Sequence, residues 1–397
     1  MKSDTHASAR IFGLSQADEL LTDAVLDLGR RHPSSHGMPR LRLTTTGVGD
    51  DEVVVHAEPL IGSMHRGAEK LFESRDYRQV LALTDRHDWL SAPGSEAGAA
   101  IAMESLLGID VPRRAQWLRM LVCELNRIAA HALFLAEFPW SAVIESDDSL
   151  AAWPRLRERV LAVRENLLDV ISHITGARMH VMWTVIGGVR NDVADDWLAE
   201  VLASWSVTDV VSEVQEFLRH DAVTERLHGV GVLRPELVDS YAVSGIVARA
   251  AGVRRDVRVD APYALYGEVA DAMQVPTRAE SDALARLELL CEEMVQSQGL
   301  VRAIAAQLAQ CAGAVNVQLP KVVRLPEGSV YVETENSLGS NGFWLVSKGD
   351  KMPHRLKIRS ASFNNLSAVH EVLANQPLHD VLPTLATWFF LSGDSDR

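Results

Sequence analysis

The 397-residue sequence predicts a mostly helical α+β protein, a long-helix core flanked by small antiparallel sheets drawn from the N- and C-terminal parts of the chain. Three observations carry this prediction. Residues 40–58 alternate polar and apolar side chains at period two around a Gly47-Val-Gly-Asp-Asp51 turn. From Arg66 to about residue 220, and again over 277–311, apolar residues recur at helical spacing. After Pro326 three short strand-like runs return.

In chain order, residues 1–24 form a variable lead with a short helix expected near 16–22. Residues 25–29 read as a strand entering a turn, and 40–46 with 52–58 as an antiparallel hairpin. Helices are expected at about 66–74, 76–86, 94–107, 112–137, 149–175, 192–220 and 277–311. Pro112 suits a first helical turn, where its missing N–H does no harm. Residues 222–275 are mixed, because Gly229-Val-Gly231 and Pro262-Tyr263 interrupt any long element. Strands at 329–334, 343–347 and 354–359 precede helices near 362–374 and 377–386. No repeat and no Pro-, Gly- or Ser-rich linker appears, so residues 25–397 read as one domain.

Composition narrows the class. With 47% hydrophobic and 23% charged residues, the chain has the apolar content of a folded protein rather than a disordered one. A net charge of −14 argues against nucleic acid as a partner, since phosphate binding draws on clustered Lys and Arg. Three cysteines (Cys123, Cys291, Cys311), none in a C-x-x-C pair, exclude a disulfide framework and a four-thiolate metal site. The most apolar stretch, 115–138, contains Arg119, Glu124, Arg127 and His131. Each such charge costs about 2.5–3.5 kcal/mol at a bilayer centre, which excludes a spanning helix there. The excess of Arg over Lys reads as the coding bias of a GC-rich bacterium. No P-loop, H-E-x-x-H or G-x-S-x-G motif is present.

Three segments carry chemistry-bearing residues. In Arg31-His-Pro-Ser-Ser-His36-Gly37, Pro33 and Gly37 place both histidines in a turn beside the hairpin. That position suits a proton donor, because imidazole changes charge near neutral pH; the bland reading is a structural pair. Glu124, Arg127 and His131 share one face of an otherwise apolar helix, so they form a charged seam whose members must be paired inside the protein. Arg178 and His180 follow Gly176 on an irregular stretch, where functional side chains are often found.

Taken in order, these segments resemble one family: the 49-kDa-type (D-type) subunit of the proton-pumping NADH–quinone oxidoreductase, respiratory complex I. The markers are Leu26-Asp-Leu-Gly with His32-Pro-Ser-Ser-His-Gly37, Ile61-Gly-Ser-Met-His-Arg-Gly67, Pro112-Arg-Arg-Ala-Gln-Trp117, Gly176-Ala-Arg-Met-His180 and Gly187-Gly-Val189. Later come Asp256-Val-Arg258, Pro262-Tyr263, Glu293-Met-Val-Gln-Ser297, Leu356-Lys-Ile-Arg359 and Gly393-Asp-Ser-Asp-Arg397. Their collinear order is far more specific than any one of them. The family shares its fold with the large subunit of nickel–iron hydrogenases, but the cysteine pairs that a nickel–iron site requires are missing here.

The resemblance implies a chamber for a quinone head group beside the terminal iron–sulfur cluster of a partner subunit. His36 matches the histidine that bonds a quinone carbonyl and supplies a proton. Arg66 and His180 match residues beside the cluster. It further implies a peripheral position on the cytoplasmic side of a bacterial cell membrane. The partners would be the cluster-bearing small subunit, the C-type subunit of the peripheral arm and the membrane-arm subunits. No cofactor is expected in the chain itself, NAD being used by another subunit. Menaquinone is the quinone expected from the inferred bacterial origin.

The departures define a competing reading. The family's Asp-Arg-x-Asp-Tyr segment is Asp85-Arg-His-Asp-Trp89 here, so a quinone-contacting phenol becomes an indole, which donates a hydrogen bond without serving as an acid. An acidic position after the long helix falls near Ser141. Leu338-Gly-Ser-Asn-Gly342 and Ala386-Thr-Trp-Phe389 replace two further family motifs. These changes would suit a non-catalytic scaffold that keeps the fold and has lost the quinone pocket.

Overall fold

The computed structural model describes residues 10–11, 21–29, 32–33, 39–144 and 148–397. Its first sheet is antiparallel and runs in sequence order: β1 (Arg10–Ile11), β2 (Leu21–Asp27), β3 (Arg40–Thr46) and β4 (Val53–Leu60). β3 buries Leu41, Leu43 and Thr45 and turns Arg40 and Arg42 outward, as period-two alternation requires. Gly47 makes the hairpin turn at φ +90°, where an added Cβ would lie 2.5 Å from the Asp51 carbonyl oxygen.

The helix expected near 16–22 is corrected at its end. Leu21 and Thr22 pair with Thr46 and Thr45 as the start of β2, and residues 16–20 lie outside the described set. The alternation of Thr22-Asp-Ala-Val-Leu-Asp27 lets β2 complete the open side of β3, and that pairing outweighs local helical spacing.

Two smaller sheets follow. β5 (Thr184–Val185) and β6 (Gly188–Val189) form a two-residue hairpin. β7 (Gly328–Asn336), β8 (Gly339–Ser347) and β9 (Arg355–Arg359) form an antiparallel meander, the three late strands that the sequence predicts. The backbone bond from Val54 N to the Gln376 oxygen (2.9 Å) ties the first sheet to the last part of the chain.

Helices Ala92–Leu107, Arg113–Ala136, Trp153–Thr175 and Ala283–Leu308 build the centre. Arg113–Ala136 packs between the last two, and 21 of its 24 residues are buried, so every charged group on it needs a partner inside the protein. Glycines in the left-handed region cap Ala92–Leu107 (Gly108) and Trp153–Thr175 (Gly176). The Asp282 carboxylate accepts from Ala285 N at 2.8 Å and starts Ala283–Leu308.

The single helix expected over 192–220 is two, Asp195–Ser204 and Thr208–Leu218. Trp205 is extended between them, and Val207 N donates to Gln298 Oε1 at 2.7 Å, an interaction a continuous helix would forbid. Helix Ala92–Leu107 lies close against β7 and β8. An added Cβ on Gly98 would stand 3.1 Å from Phe343 and Thr334, and one on Gly94 2.3 Å from Asn336 Oδ1. That closeness brings the Asp88 side chain to Asn336.

Candidate functional site

Leu28 N donates to the Pro39 oxygen at 3.0 Å. His36 itself lies outside the described residues. Its neighbour His32 is a core residue: buried, with Nε2 3.0 Å from the Trp388 oxygen and its ring centroid 4.0 Å from that of Phe390. Burial pushes its pKa down to about 4, so it stays neutral at physiological pH. A hollow of about 440 Å³ is lined by Leu28, Pro39, Leu41, Ile61, Phe390 and Asp396 among others.

Trp89 opens the short 3-10 turn Trp89–Ser91, whose first N–H groups are capped by Asp88: Oδ1 accepts from Ser91 N at 3.0 Å. The indole is half-buried and lines a second hollow of about 270 Å³ with Asn126, Ala130, Leu133, Arg178 and Met179. No described residue lines both hollows.

Arg66 and His180 converge on one dipeptide. Arg66 Nη2 donates to the Arg86 carbonyl at 2.7 Å, and Arg86 grips the Asp85 carboxylate at 2.6 and 2.8 Å. His180 Nδ1 meets the same carboxylate at 3.2 Å. Asp85 is wholly buried, whereas the Arg86 and His180 side chains each keep a third of their surface. Met179 and Met182 stand exposed beside them.

Glu96 sets the strand-like segment after His180. From helix Ala92–Leu107 its carboxylate accepts from the backbone N–H groups of Met182 (2.5 Å), Trp183 and Thr184 (3.1 Å each). Burial, then the Asp85 charge, pushes its pKa up to about 8 against the pull of those three donors. Asp88 is likewise held up at about 7, first by burial and then by Asp394. His87 Nε2 stands 3.6 Å from Asp394 Oδ1, and burial holds its pKa below the usual imidazole range.

Glu124, Arg127 and His131 belong to a larger buried network. Arg127 Nε reaches Glu124 at 3.3 Å, while Arg258 Nη1 binds both Glu124 oxygens at 3.0 Å. Tyr266 and Ser297 add hydroxyl donors at 2.7 and 2.8 Å. His131 pairs with Glu293 at 2.8 Å rather than with its helix neighbours, and Glu293 continues to Arg249. Arg249 also bonds Glu335 at 2.9 Å and approaches Asp256 at 3.8 Å. Burial pushes the Glu124 and Glu293 carboxyls up, but the guanidiniums outweigh it and bring both down to about 2. Glu335 is the exception, held above the usual range by burial and by Asp256.

Sequence reasoning missed Asp88, Glu96 and Asp394. The signal was available for Glu96, an acid set among the small apolar residues of Ala92–Leu107, which is the pattern that singled out Glu124. For Asp394 no local signal exists, since its partners Ser362 and His87 are distant in sequence. Among the described residues no group of three or more His, Cys, Asp or Glu side chains is placed to hold a metal ion.

Comparison with known proteins decides the family. The profile of the family described as respiratory-chain NADH dehydrogenase, 49 Kd subunit, matches residues 159–324 and 316–397. A D-type subunit of the NADH-quinone oxidoreductase of Streptomyces griseus (copy 2) is 45% identical over 379 residues, covering 95% of this chain and 93% of its own. The chain belongs to the 49 Kd subunit family of the respiratory-chain NADH dehydrogenase. The D-type subunit, copy 1, of the Streptomyces coelicolor enzyme is 44% identical, with all of both chains covered. Its counterpart in Geobacillus thermodenitrificans is 34% identical, covering 94% of this chain and 98% of its own. Membership in this family of oxidoreductase-complex subunits carries the expectation of other subunits as partners. Among the described residues of this 49 Kd family member, no helix is long and apolar enough to cross a membrane.

Proposed function

We propose that this chain is a peripheral-arm subunit of a proton-translocating NADH–quinone oxidoreductase and forms the quinone head-group site beside a partner subunit's terminal iron–sulfur cluster. The observation that supports this best is the convergence of Arg66 and His180 on Asp85-Arg86, the same segment that four residues later carries Trp89. One short stretch thereby links the two ends of the reaction path.

In this reading the partner's cluster supplies electrons, and this chain supplies shape, hydrogen-bond donors and protons. Reduction of a quinone to a quinol takes two electrons and two protons, and negative charge develops on the ring oxygens. His36 donates one proton to a ring oxygen. Trp89 bounds the head group with its indole and donates a hydrogen bond without giving up its proton. Arg66 and His180 place positive or protonatable charge on the cluster side, which favours the reduced cluster. Glu124, Arg127 and His131, with their partners, hold the centre rigid behind the site. Menaquinone is the quinone proposed. The cluster-bearing small subunit, the C-type subunit and the membrane arm are the partners, on the cytoplasmic side of the cell membrane. NAD is bound by another subunit.

Replacing His36 with Ala in the assembled complex tests the reading. Quinone reduction should fall sharply while NADH oxidation by an artificial acceptor upstream persists; unchanged quinone turnover would overturn the assignment.

The indole at position 89, where the family pattern has a phenol, favours one second reading: a scaffold subunit without quinone chemistry. Purification separates the two, because recovery with a cluster-bearing small subunit supports the first and recovery without it the second.

A further inference from the structure

The loop carrying His65 and Arg66 runs from the end of β4 to helix Ala68–Phe72, and its residues 61, 62, 63, 65 and 66 are exposed. Such a loop has few contacts of its own to fix it. Two of its backbone donors, those of Gly62 and Met64, point at one buried side chain distant in sequence, Asp396, which is 8% exposed. Asp396 Oδ1 accepts from Gly62 N at 2.7 Å and Oδ2 from Met64 N at 2.6 Å. The Asp396 carbonyl oxygen meets His65 Nδ1 at 2.6 Å, and Arg66 N donates to the Arg397 oxygen at 3.4 Å. Gly62 adopts φ +105°, a conformation that lets two donors of the loop, two residues apart, face one carboxylate.

The clamp is itself anchored. Asp394, in the same short helix Ser392–Asp396, accepts from Ser362 N at 2.9 Å. Arg397 donates to the Ile358 oxygen at 3.2 Å and lies over the Phe363 ring at 4.7 Å. Asp396 also lines the hollow that Leu28, Pro39 and Ile61 bound. It therefore stands between that hollow and the loop that bears Arg66.

We infer that Asp396 is a positioning residue, whose carboxylate fixes the 62–66 loop so that Arg66 reaches the Arg86 carbonyl and faces the partner's cluster. Charge-assisted acceptance of two N–H groups is about twice as strong as a neutral pair, enough to order an exposed loop. The inference rests on the proposed role of Arg66, and misplacement of a positioned group by about 1 Å commonly costs about ten- to a hundredfold in rate.

The test uses the assembled complex carrying Asp396→Ala, Asp396→Asn, Arg66→Ala or Asp396→Ala with Arg66→Ala. Four quantities are measured: quinone reduction, reduction of an artificial acceptor upstream, the redox potential of the terminal cluster, and amide hydrogen exchange in the 62–66 segment. Asp396→Ala should slow quinone reduction about ten-fold or more with the artificial acceptor unaffected. It should also speed exchange in 62–66 and move the cluster potential in the direction that Arg66→Ala moves it. The double variant should be no slower than the worse single one. Asp396→Asn, which keeps one acceptor oxygen, should fall between wild type and Asp396→Ala. Multiplying losses in the double variant, or fast exchange with wild-type turnover and potential, would overturn the inference. If Arg66→Ala alone leaves turnover and potential unchanged, the proposed role of Arg66 fails, and positioning through it fails for that separate reason. Should Asp396→Ala not assemble, exchange in the purified full chain of Asp396→Asn decides, and unaltered protection of 62–66 overturns the clamp.

Discussion

Asp85 and His180 meet at 3.2 Å although 95 residues separate them in sequence. The carboxylate that receives His180 is also held by its neighbour Arg86, whose carbonyl receives Arg66. A single wholly buried acid thus sets the relative position of an arginine and a histidine that reach the surface from different loops.

Replacing Asp85 with Asn should therefore act on both. The amide keeps the volume but has one oxygen where the carboxylate has two for Arg86 and His180, and the half-paired Arg86 is left beside it. We expect a stability loss of about 1–3 kcal/mol, read from the denaturant midpoint of the purified chain. We also expect slower quinone reduction in the assembled complex.

Trp89 gives a prediction of the opposite sense. Trp89→Tyr restores a phenol that both fits the half-buried site and provides an ionisable O–H, so quinone turnover should be kept or raised. Trp89→Ala enlarges the hollow of about 270 Å³ and removes the ring that bounds it, which should raise KM for quinone more than it lowers kcat. Equal behaviour of the two variants would argue against any contact between position 89 and the head group.

The buried acids make stability depend on pH with a definite sign. Asp88 is held up at about 7, whereas an aspartate in an unfolded chain titrates near about 3.9. Between those values the folded chain keeps a proton that the unfolded chain gives up, so unfolding releases a proton and stability falls as pH rises. Glu96, pushed up to about 8, extends the fall by a further pH unit. Asp88→Asn, which has no proton to give up, should stand closest to wild type near pH 4 and gain on it in Tm as pH rises, the gap being fully open above pH 7. Thermal unfolding of the full chain across that range checks both the sign and the window.

Arg258 is the test of the central network. It binds both oxygens of Glu124 and pairs with Asp256 at 2.7 Å, so Arg258→Met strands two buried carboxylates. The expected loss is about 3–5 kcal/mol. Adding Glu124→Gln should recover part of it, because the amide oxygen accepts from one of the two hydroxyls of Tyr266 and Ser297 and its NH2 donates to the other, with no charge left to compensate. Chemical denaturation of the single and double variants measures the recovery.

Long, regular elements were legible in the sequence because one period dominates each of them. Arg113–Ala136 and Ala283–Leu308 fall within the expected spans, and β3 follows its alternation while the pairing of β3 with β4 shifts register between Thr44 and Thr45. The break at Trp205 was not legible, since the group that claims Val207 N is Gln298, a residue of a distant helix. The same holds in the site. Glu124, Arg127 and His131 declared themselves by being ionisable on an apolar helix, and they are buried as that pattern demands. Their true partners, Arg258, Glu293 and Arg249, are brought by tertiary packing that no local pattern encodes. His36 carries the proposed chemistry and lies outside the described residues, so its reading still rests on the resemblance of its turn.

The contact between Gly62 and Asp396 spans 334 positions of the chain. During synthesis at roughly 5–20 residues per second, the 62–66 loop emerges well before the side chain that holds it. A nascent chain halted before residue 392 carries Arg66 on an unanchored strap, however well its helices have packed. Surfaces that must recognise this loop in its set form thus depend on residues 392–397 having been made.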